Sequence, residues 1–382
     1  MSLQGVRVDG PPGAPALVLS NSLGCSADMW APQMPALTQR FRVVRYEHRG
    51  HGGAGTPDGA WTVDDLGRDL LAVMDAAGFE RASVMGLSLG GTVAMWLAIN
   101  HPARVDRLVI ACSRASWPPK EMWAGRIEAM RTGRPADLLS ALLGRWFTPG
   151  FAGVHPDAVA LVASMLDTAS PQGYAGCCEA LSEVDLSADL GSITAPTLVL
   201  AGSLDPGVPI AVAASLAEAI PGSSLQVISP GAHLINVEQP GRFNAAVIDH
   251  LAGDALERGR ATRRAVLGDS HVEASETGAG PITSSFVDLI TRYAWGDVWT
   301  RPGLDKRTRS CITLAMLVAM GRFDELGMHL LGARRNGLSD EEIVEVLLQT
   351  AIYCGVPAAN SAFAVARRVL EDDAGAAGGA GD

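Results

Sequence analysis

Residues 82–100 read ASVMGLSLGGTVAMWLAIN. The first part is a small and apolar run of strand length, and the last part is an apolar helical stretch. Between them Gly86, Gly90 and Gly91 crowd around Ser88. This is the G-x-S-x-G pattern in the setting that gives it meaning, a strand turning sharply into a helix. Such a turn holds the serine in a strained backbone with its hydroxyl at the top of the sheet, while the glycines keep side chains away from it. Ser88 is therefore the candidate nucleophile.

A serine hydroxyl is a weak nucleophile near neutral pH. It needs a base, and the base needs a carboxylate to orient it. In this setting the acid follows the serine and the histidine follows the acid. Asp205 stands in AGSLDPGVP, after the strand-like PTLVLAG, and His233 stands in PGAHLINVEQP, after SLQVIS. Both are loop positions at the carboxyl ends of strands, where open α/β sheets bind ligands. His101 and His155 each precede a proline and read as surface turn residues, and His250 reads as an exposed helical residue. The oxyanion of a tetrahedral intermediate needs two N–H donors. Leu89 supplies the amide after the nucleophile, and the loop NSLG, after ALVLS, offers that of Leu23.

Outward from this turn, ALVLS, FRVVRYE, ASVMGLS, RLVIACS, PTLVLAG and SLQVIS read as buried strands with helix-length segments between most of them. That alternation predicts a mostly parallel sheet with helices on both faces. From about residue 117 to 190 only helical patterns appear, among them EMWAGRIEAMRTG and ADLLSALLGRWF, which predicts a helical lid over the sheet's carboxyl edge. After Asp254 the strands stop. PITSSFVDLITRYAW, DKRTRSCITLAMLVAMG, FDELGMHLLGARRNG, SDEEIVEVLLQTAIYCG and PAANSAFAVARRVLEDD read as helices. Ser339 before three acids is an N-cap, and Gly337 closes the preceding helix. The expected organisation is a sheet domain over 1–252, a charged connector over 253–262, an all-α domain over 263–372, and a disordered Gly/Ala-rich tail over 373–382.

The chain has 382 residues, 48% hydrophobic and 19% charged, with a net charge of −11. That length suits two domains. The acidity disfavours nucleic acid and anionic membranes as partners. No apolar run approaches a membrane span, and the first residues lack the pattern of a secretion signal, so a cytoplasmic protein is expected. Cys25, Cys112, Cys177, Cys178, Cys311 and Cys354 have neither redox nor zinc spacing and read as small buried thiols. No metal or cofactor is expected.

LVLSNSLG, RGHGGAGTP, GLSLGG, AGSLDPGVP and GAHLINVEQP together resemble the 3-oxoadipate enol-lactone hydrolases, a branch of the α/β-hydrolases. The resemblance covers residues 1 to about 252 and implies an α/β-hydrolase fold with a helical lid. Where many relatives place His-Gly in the oxyanion loop, this chain has Asn21-Ser22, and where many have Asp before the x-R-G turn it has Glu47. The first is the lactonase-like version, and the second is expected to leave the chemistry untouched. The substrate carboxylate needs a cation, for which Arg114 and Arg126 are candidates.

The C-terminal helices resemble the carboxymuconolactone decarboxylase family through LITRYAWGDVWTRPGLDKRTRS, HLLGARRNGLSDEEI and VLLQTAIYCGVPAAN. Related alkylhydroperoxidase-like proteins carry C-x-x-C followed by His. Here His329 holds the histidine position, while Arg322 and Glu325 hold those of the cysteines, so thiol peroxide chemistry is disfavoured. The resemblance implies that His329 supplies a proton, that Glu325 four residues earlier tunes it, and that Arg301 and Arg309 clamp carboxylates. A plain helix-surface pair and a structural arginine are the competing readings. Tyr353 and Cys354 read as packing residues, and Trp295 and Trp299 as lining a site or an oligomer interface. Together the resemblances imply a cofactor-free bifunctional enzyme acting on small anionic lactones in protocatechuate breakdown, assembled as a homo-oligomer through its C-terminal domain. The rivals are a general esterase or haloperoxidase-like hydrolase whose helical domain only drives assembly, and a non-enzymatic binding protein of hydrolase fold.

Overall fold

Runs rich in Val, Leu, Ile and Ala, buried on both faces, form the centre of the first unit's sheet, whereas Ser224–Ile228, expected to be buried, lies at the sheet's edge and is largely exposed. In the computed structural model, which describes residues 5–118, 120–133, 136–280, 282–301 and 303–378, the strands are β1 Arg7–Asp9, β2 Ala16–Ser20, β3 Arg42–Arg45, β4 Ala82–Leu87, β5 Val105–Ala111, β6 Thr197–Gly202 and β7 Ser224–Ile228. The sheet order is β1-β3-β2-β4-β5-β6-β7. All neighbours are parallel except β1 and β3. Near-continuous apolar strands are what a parallel sheet covered on both faces requires. β1 had no counterpart in the sequence reading. It has three residues, mostly exposed, and pairs on one side only, so its periodicity carries no signal.

β2 lies between β3 and β4, so the chain leaves its centre in opposite directions. The loops after β2 and β4 diverge there and open a crevice at their carboxyl ends. Between β5 and β6 come the helices Lys120–Thr132, Ala136–Trp146, Pro149–Val154, Pro156–Thr168 and Pro171–Glu183, the expected lid. Thr148 and Ser170 cap two of them by accepting from the Phe151 and Gly173 amides, each with proline at the helix start. An antiparallel bridge between Ser116 and Asp185 joins the two ends of the insertion.

The chain divides into compact units at Met1–Leu251 and Ala252–Asp382. The second contains helices Ala255–Leu267, Asp269–Thr277, Ser284–Ile290, Lys306–Ala319, Phe323–Arg335, Asp340–Tyr353 and Val356–Gly378, with a π-helical turn at Thr291–Val298. Leu314, Val318, Leu326, Leu330, Ile343 and Leu347 build one apolar cluster, and Val266, Leu267, Val272 and Trp295 build another. Ser339 and Glu342 form a capping box, and Gly337 adopts φ 92°.

Residues 253–262, expected as a connector, instead open the helix Ala255–Leu267. Asp254 caps it, accepting from Leu256 N at 2.6 Å. Its charges suggested a solvated segment, but Arg260 pairs with Glu276 at 3.0 Å and Arg264 with the same acid at 3.5 Å. Gly259 lets the π turn approach so closely that a Cβ there would lie 2.0 Å from the Thr291 carbonyl. The last helix continues to Gly378, into the expected tail, and residues 379–382 lie outside the described residues. His250 is half-buried rather than exposed, and burial lowers its pKa. Tyr353 is exposed instead of packed, and Cys311 and Cys354 are half-buried while the other four thiols are buried. Among the described residues no helix is long and apolar enough to cross a membrane.

Candidate active sites

Ser88 joins β4 to the helix Leu89–Asn100 with φ 57° and ψ −116°, a conformation rare for a residue bearing a side chain. Such strain costs on the order of 1–3 kcal/mol and persists only where the surroundings enforce it. Here a Cβ on Gly86 would meet the Gly90 carbonyl at 2.1 Å, and one on Gly90 would meet the Ser20 carbonyl at 2.1 Å. Ser88 N donates to Ala111 O at 2.9 Å, and Ser113 Oγ donates to Ser88 O at 2.7 Å.

His233 Nδ1 lies 2.7 Å from Asp205 Oδ2. The other oxygen, Oδ1, accepts from Gly207 N at 2.7 Å and Val208 N at 3.1 Å. Burial pushes the Asp205 carboxyl up, but His233 and these amides outweigh it and hold the group below the ordinary carboxylate range. Asp205 thus stays ionised and orients the imidazole. Ser88 and His233 line one cavity without a direct hydrogen bond among the described residues. Nucleophile–base contacts commonly tighten only once substrate is in place. Cys112 Sγ, Asp205 and His233 offer atoms within 4.8 Å of one another. Burial, then the Asp205 charge, pushes the Cys112 thiol well above its usual value. It is a buried, uncharged thiol, ill-suited to ligate a metal as thiolate.

On the loop after β2, Ser22 N points to Met29 Sδ at 3.2 Å and Gly24 N donates to His51 Nε2 at 3.0 Å. Between them, Leu23 N has no acceptor among the described residues. Leu89 N, at the first helical position, has no intrahelical acceptor. Leu23 lines the cavity that Ser88 and His233 share, and Gly90 N ties the Leu23 and Leu89 segments together by donating to Asn21 O at 3.0 Å. Asn21 Nδ2 donates to Tyr46 O at 2.7 Å, and its Oδ1 accepts from Trp30 Nε1 at 2.8 Å. The buried Glu47 carboxylate accepts from Ala27 N at 3.0 Å. Glu47 was expected to be uninvolved in the chemistry, and its contacts show a role in holding this loop.

The cavity measures about 310 Å3 and is walled by Trp117, Trp123, Leu142 and Trp146. Of the two arginines expected here, Arg126 lines it and Arg114 does not. Arg126 Nε donates to the Tyr174 hydroxyl at 2.7 Å. Arg114 borders a separate cleft with Ser187 and Ala211. Its Nη1 reaches Gly207 O at 3.5 Å. Sequence reading missed Arg145, which lines the cavity, is exposed, and has no hydrogen-bond partner among the described residues. It also missed Glu238, which accepts from Ala232 N at 2.8 Å and from Thr148 in the lid, steadying the His233 loop. Arg145 sits in an amphipathic helix, where a terminal basic residue looks like ordinary dipole pairing.

In the second unit, Glu325 and His329 share the helix Phe323–Arg335. Glu325 is exposed and His329 is half-buried. The His329 ring lies nearly parallel to that of Trp295, at 7°, with centroids 6.3 Å apart, and Trp295 stacks with Trp299 at 5.0 Å. Burial first, then His271, lowers the His329 pKa to about 4, against a pull upward from Glu325. The imidazole is therefore neutral at pH 7. Arg309 donates to Leu304 O at 3.2 Å and Arg301 O at 3.0 Å, the structural use weighed against a clamp. Arg301 is exposed, and its guanidinium has no partner among the described residues.

Residues 15–148 and 158–240 match the family model described as alpha/beta hydrolase fold. The chain belongs to the α/β-hydrolase fold family. The hydrolase unit is 38% identical over 233 residues to 3-oxoadipate enol-lactonase 2 of Acinetobacter baylyi, covering 61% of this chain and 87% of that one. It is also similar to the crystal structure of the enol-lactonase from Burkholderia xenovorans LB400, with a TM-score of 0.63 and 36% identity, covering 64% of this chain and 95% of that one. Behind the hydrolase unit, residues 285–368 match the Carboxymuconolactone decarboxylase family. There the chain is 42% identical over 116 residues to the 4-carboxymuconolactone decarboxylase of Acinetobacter baylyi, 30% of this chain and 87% of that one. The protein is a fusion of the two families.

Proposed function

We propose that the chain carries out two consecutive reactions of the β-ketoadipate route. The second unit decarboxylates 4-carboxymuconolactone to 3-oxoadipate enol-lactone, and the first opens that lactone to 3-oxoadipate. The observation that carries this reading is the pairing itself: one unit resembles an enzyme that makes what the other's relatives consume.

For lactone opening, Ser88 Oγ attacks the carbonyl carbon and His233 takes its proton. The Leu23 and Leu89 amides receive the oxyanion. The ring C–O bond breaks, and His233 returns the proton to the departing enol oxygen, whose ketone tautomer is the product. Water, activated by His233, then cleaves the acyl-enzyme. Arg145, facing the cavity with its donors free, binds the substrate carboxylate, with Arg126 beside it. Arg145→Met is expected to raise KM for the enol-lactone about 10- to 100-fold, the worth of one charged hydrogen-bonded contact, with little change in kcat. Steady-state assays on an uncharged lactone of the same ring size should show no such change.

For decarboxylation, the C–C bond to the departing carboxylate breaks and its electron pair moves through the C=C onto the lactone carbonyl oxygen. The resulting dienolate takes a proton from water at the α-carbon. Neutral His329 donates a hydrogen bond to the developing oxyanion, a role for which a low pKa is suited. The neutral form is the active one, so CO2 release should hold constant from pH 8 down and fall only as pH approaches about 4. A pH profile of kcat breaking near the ordinary histidine value would contradict this role. Exposed Phe286, Leu289, Tyr293, Met316, Met320 and Ile352 fit self-association of this unit. Supplying each substrate separately tests the two halves. Failure to release CO2, or to open the enol-lactone, removes the corresponding assignment.

A further inference from the structure

The second unit buries a guanidinium that its own fold leaves unsatisfied. Arg263, on the helix Ala255–Leu267, is 5% exposed. Its Nη2 donates to Ser275 Oγ at 2.8 Å, but Nε and Nη1 have no acceptor among the described residues. The nearest acid to act on it is Glu276, whose carboxylate is already shared by Arg260 at 3.0 Å and Arg264 at 3.5 Å. A charge removed from water without a counter-charge or full hydrogen bonding is strongly unfavourable. Donors left open in this way mark a place where an anion is missing.

The surroundings fit a small carboxylate. His271, on the helix Asp269–Thr277, lies within electrostatic reach of Arg263 and Arg335, and His329 lies within reach of His271. Burial first, then Arg263 and Arg335 at His271 and the second imidazole at His329, keeps both rings towards the neutral state, able to donate without adding charge. Arg335 Nη1 is turned to Val266 O at 3.3 Å. The exposed Glu325, acting on His329, and the occupied Glu276, acting on Arg263, are the acids acting on this group. Val266, Val272 and Trp295 supply the apolar wall. Arg263 and His271 precede residues 285–368, so the family match does not include them.

We propose that Arg263, assisted by His271, is the carboxylate-binding subsite of the centre at His329, and that it holds the substrate carboxylate that remains on the product. This rests on the decarboxylase reading of the unit. The choice of carboxylate follows from where charge moves. A guanidinium on the departing group would stabilise the ground state and lose its partner as CO2 forms, which slows the step. On the retained acetate its attraction is equal before and after, so it contributes to binding and orientation.

The test uses full-length Ser88→Ala protein, in which the lactone survives, with and without Arg263→Lys. Lysine keeps the charge but not the fixed fork. The expected result is a KM for CO2 release raised about thirtyfold with kcat changed less than about threefold, and an unchanged thermal melt. An unchanged KM overturns the proposal, as does a large fall in kcat at constant KM. A second arm measures calorimetric binding of the saturated dicarboxylate lactone, which lacks the C=C needed to lose CO2. Binding at the hydrolase cavity is common to both proteins. Loss of a second binding event in Arg263→Lys supports the subsite, and identical isotherms overturn it. If Ser88→Ala protein releases no CO2 at all, the decarboxylase reading fails, and the isotherms alone then judge the anion site.

Discussion

Ser88→Ala should abolish enol-lactone opening, lowering kcat about 10^4- to 10^6-fold, while CO2 release from 4-carboxymuconolactone continues at the rate of the unaltered chain. The two effects separate because each chemistry is contained in its own unit. In the proposed reaction Ser88 Oγ bonds to the lactone carbonyl, and the thiol of Cys112, beside Asp205 and His233, cannot take its place because burial holds it protonated. Product analysis should show enol-lactone accumulating until unaltered protein is added. Parallel loss of both activities would mean that the substitution acts through folding or that one site performs both steps.

Asp205→Asn should lower lactone opening by about 10^4-fold with the backbone intact. The reason lies in which oxygen does what. Oδ1 of Asp205 accepts from the Gly207 and Val208 amides, and only an oxygen can stay there. The asparagine amide nitrogen must then face His233 Nδ1, now 2.7 Å from Asp205 Oδ2. That ring nitrogen is forced to accept, so the proton moves to Nε2, and the base is blocked where it should meet Ser88. Labelling of Ser88 by a fluorophosphonate, followed by mass spectrometry, should slow in step with kcat. An unaltered labelling rate would show that Asp205 does not set the tautomer.

The hydrolase unit was legible because its chemistry is tied to punctuation. The Ser88 turn needs glycines that a sequence displays, and Asp205 and His233 follow apolar strands whose ends are visible. The cation of the cavity was not legible. Arg114 and Arg126 were equivalent in the sequence, and only the lid's path brings Arg126 and Arg145 to the cavity while turning Arg114 into another cleft. In the second unit the helices were visible, but the first was hidden. Its arginines looked solvated because their acids lie in the following helix, beyond the reach of an i, i+4 pattern. Arg263 was lost among them. Burial, which distinguishes it from Arg264, is a property of the packing around it, where Ser275 of the following helix accepts its hydrogen bond, rather than of the local sequence. His329 stands out in the sequence, but its lowered pKa does not, since burial and His271 on another helix set it.

The most direct test follows the purified full-length chain acting alone on 4-carboxymuconolactone, with CO2 and 3-oxoadipate quantified together over time. One CO2 for each 3-oxoadipate, with enol-lactone as a transient between them, is the result this account requires. Ring-opened product that retains the carboxylate, formed without CO2, would contradict it and leave a hydrolase joined to a helical domain of another purpose.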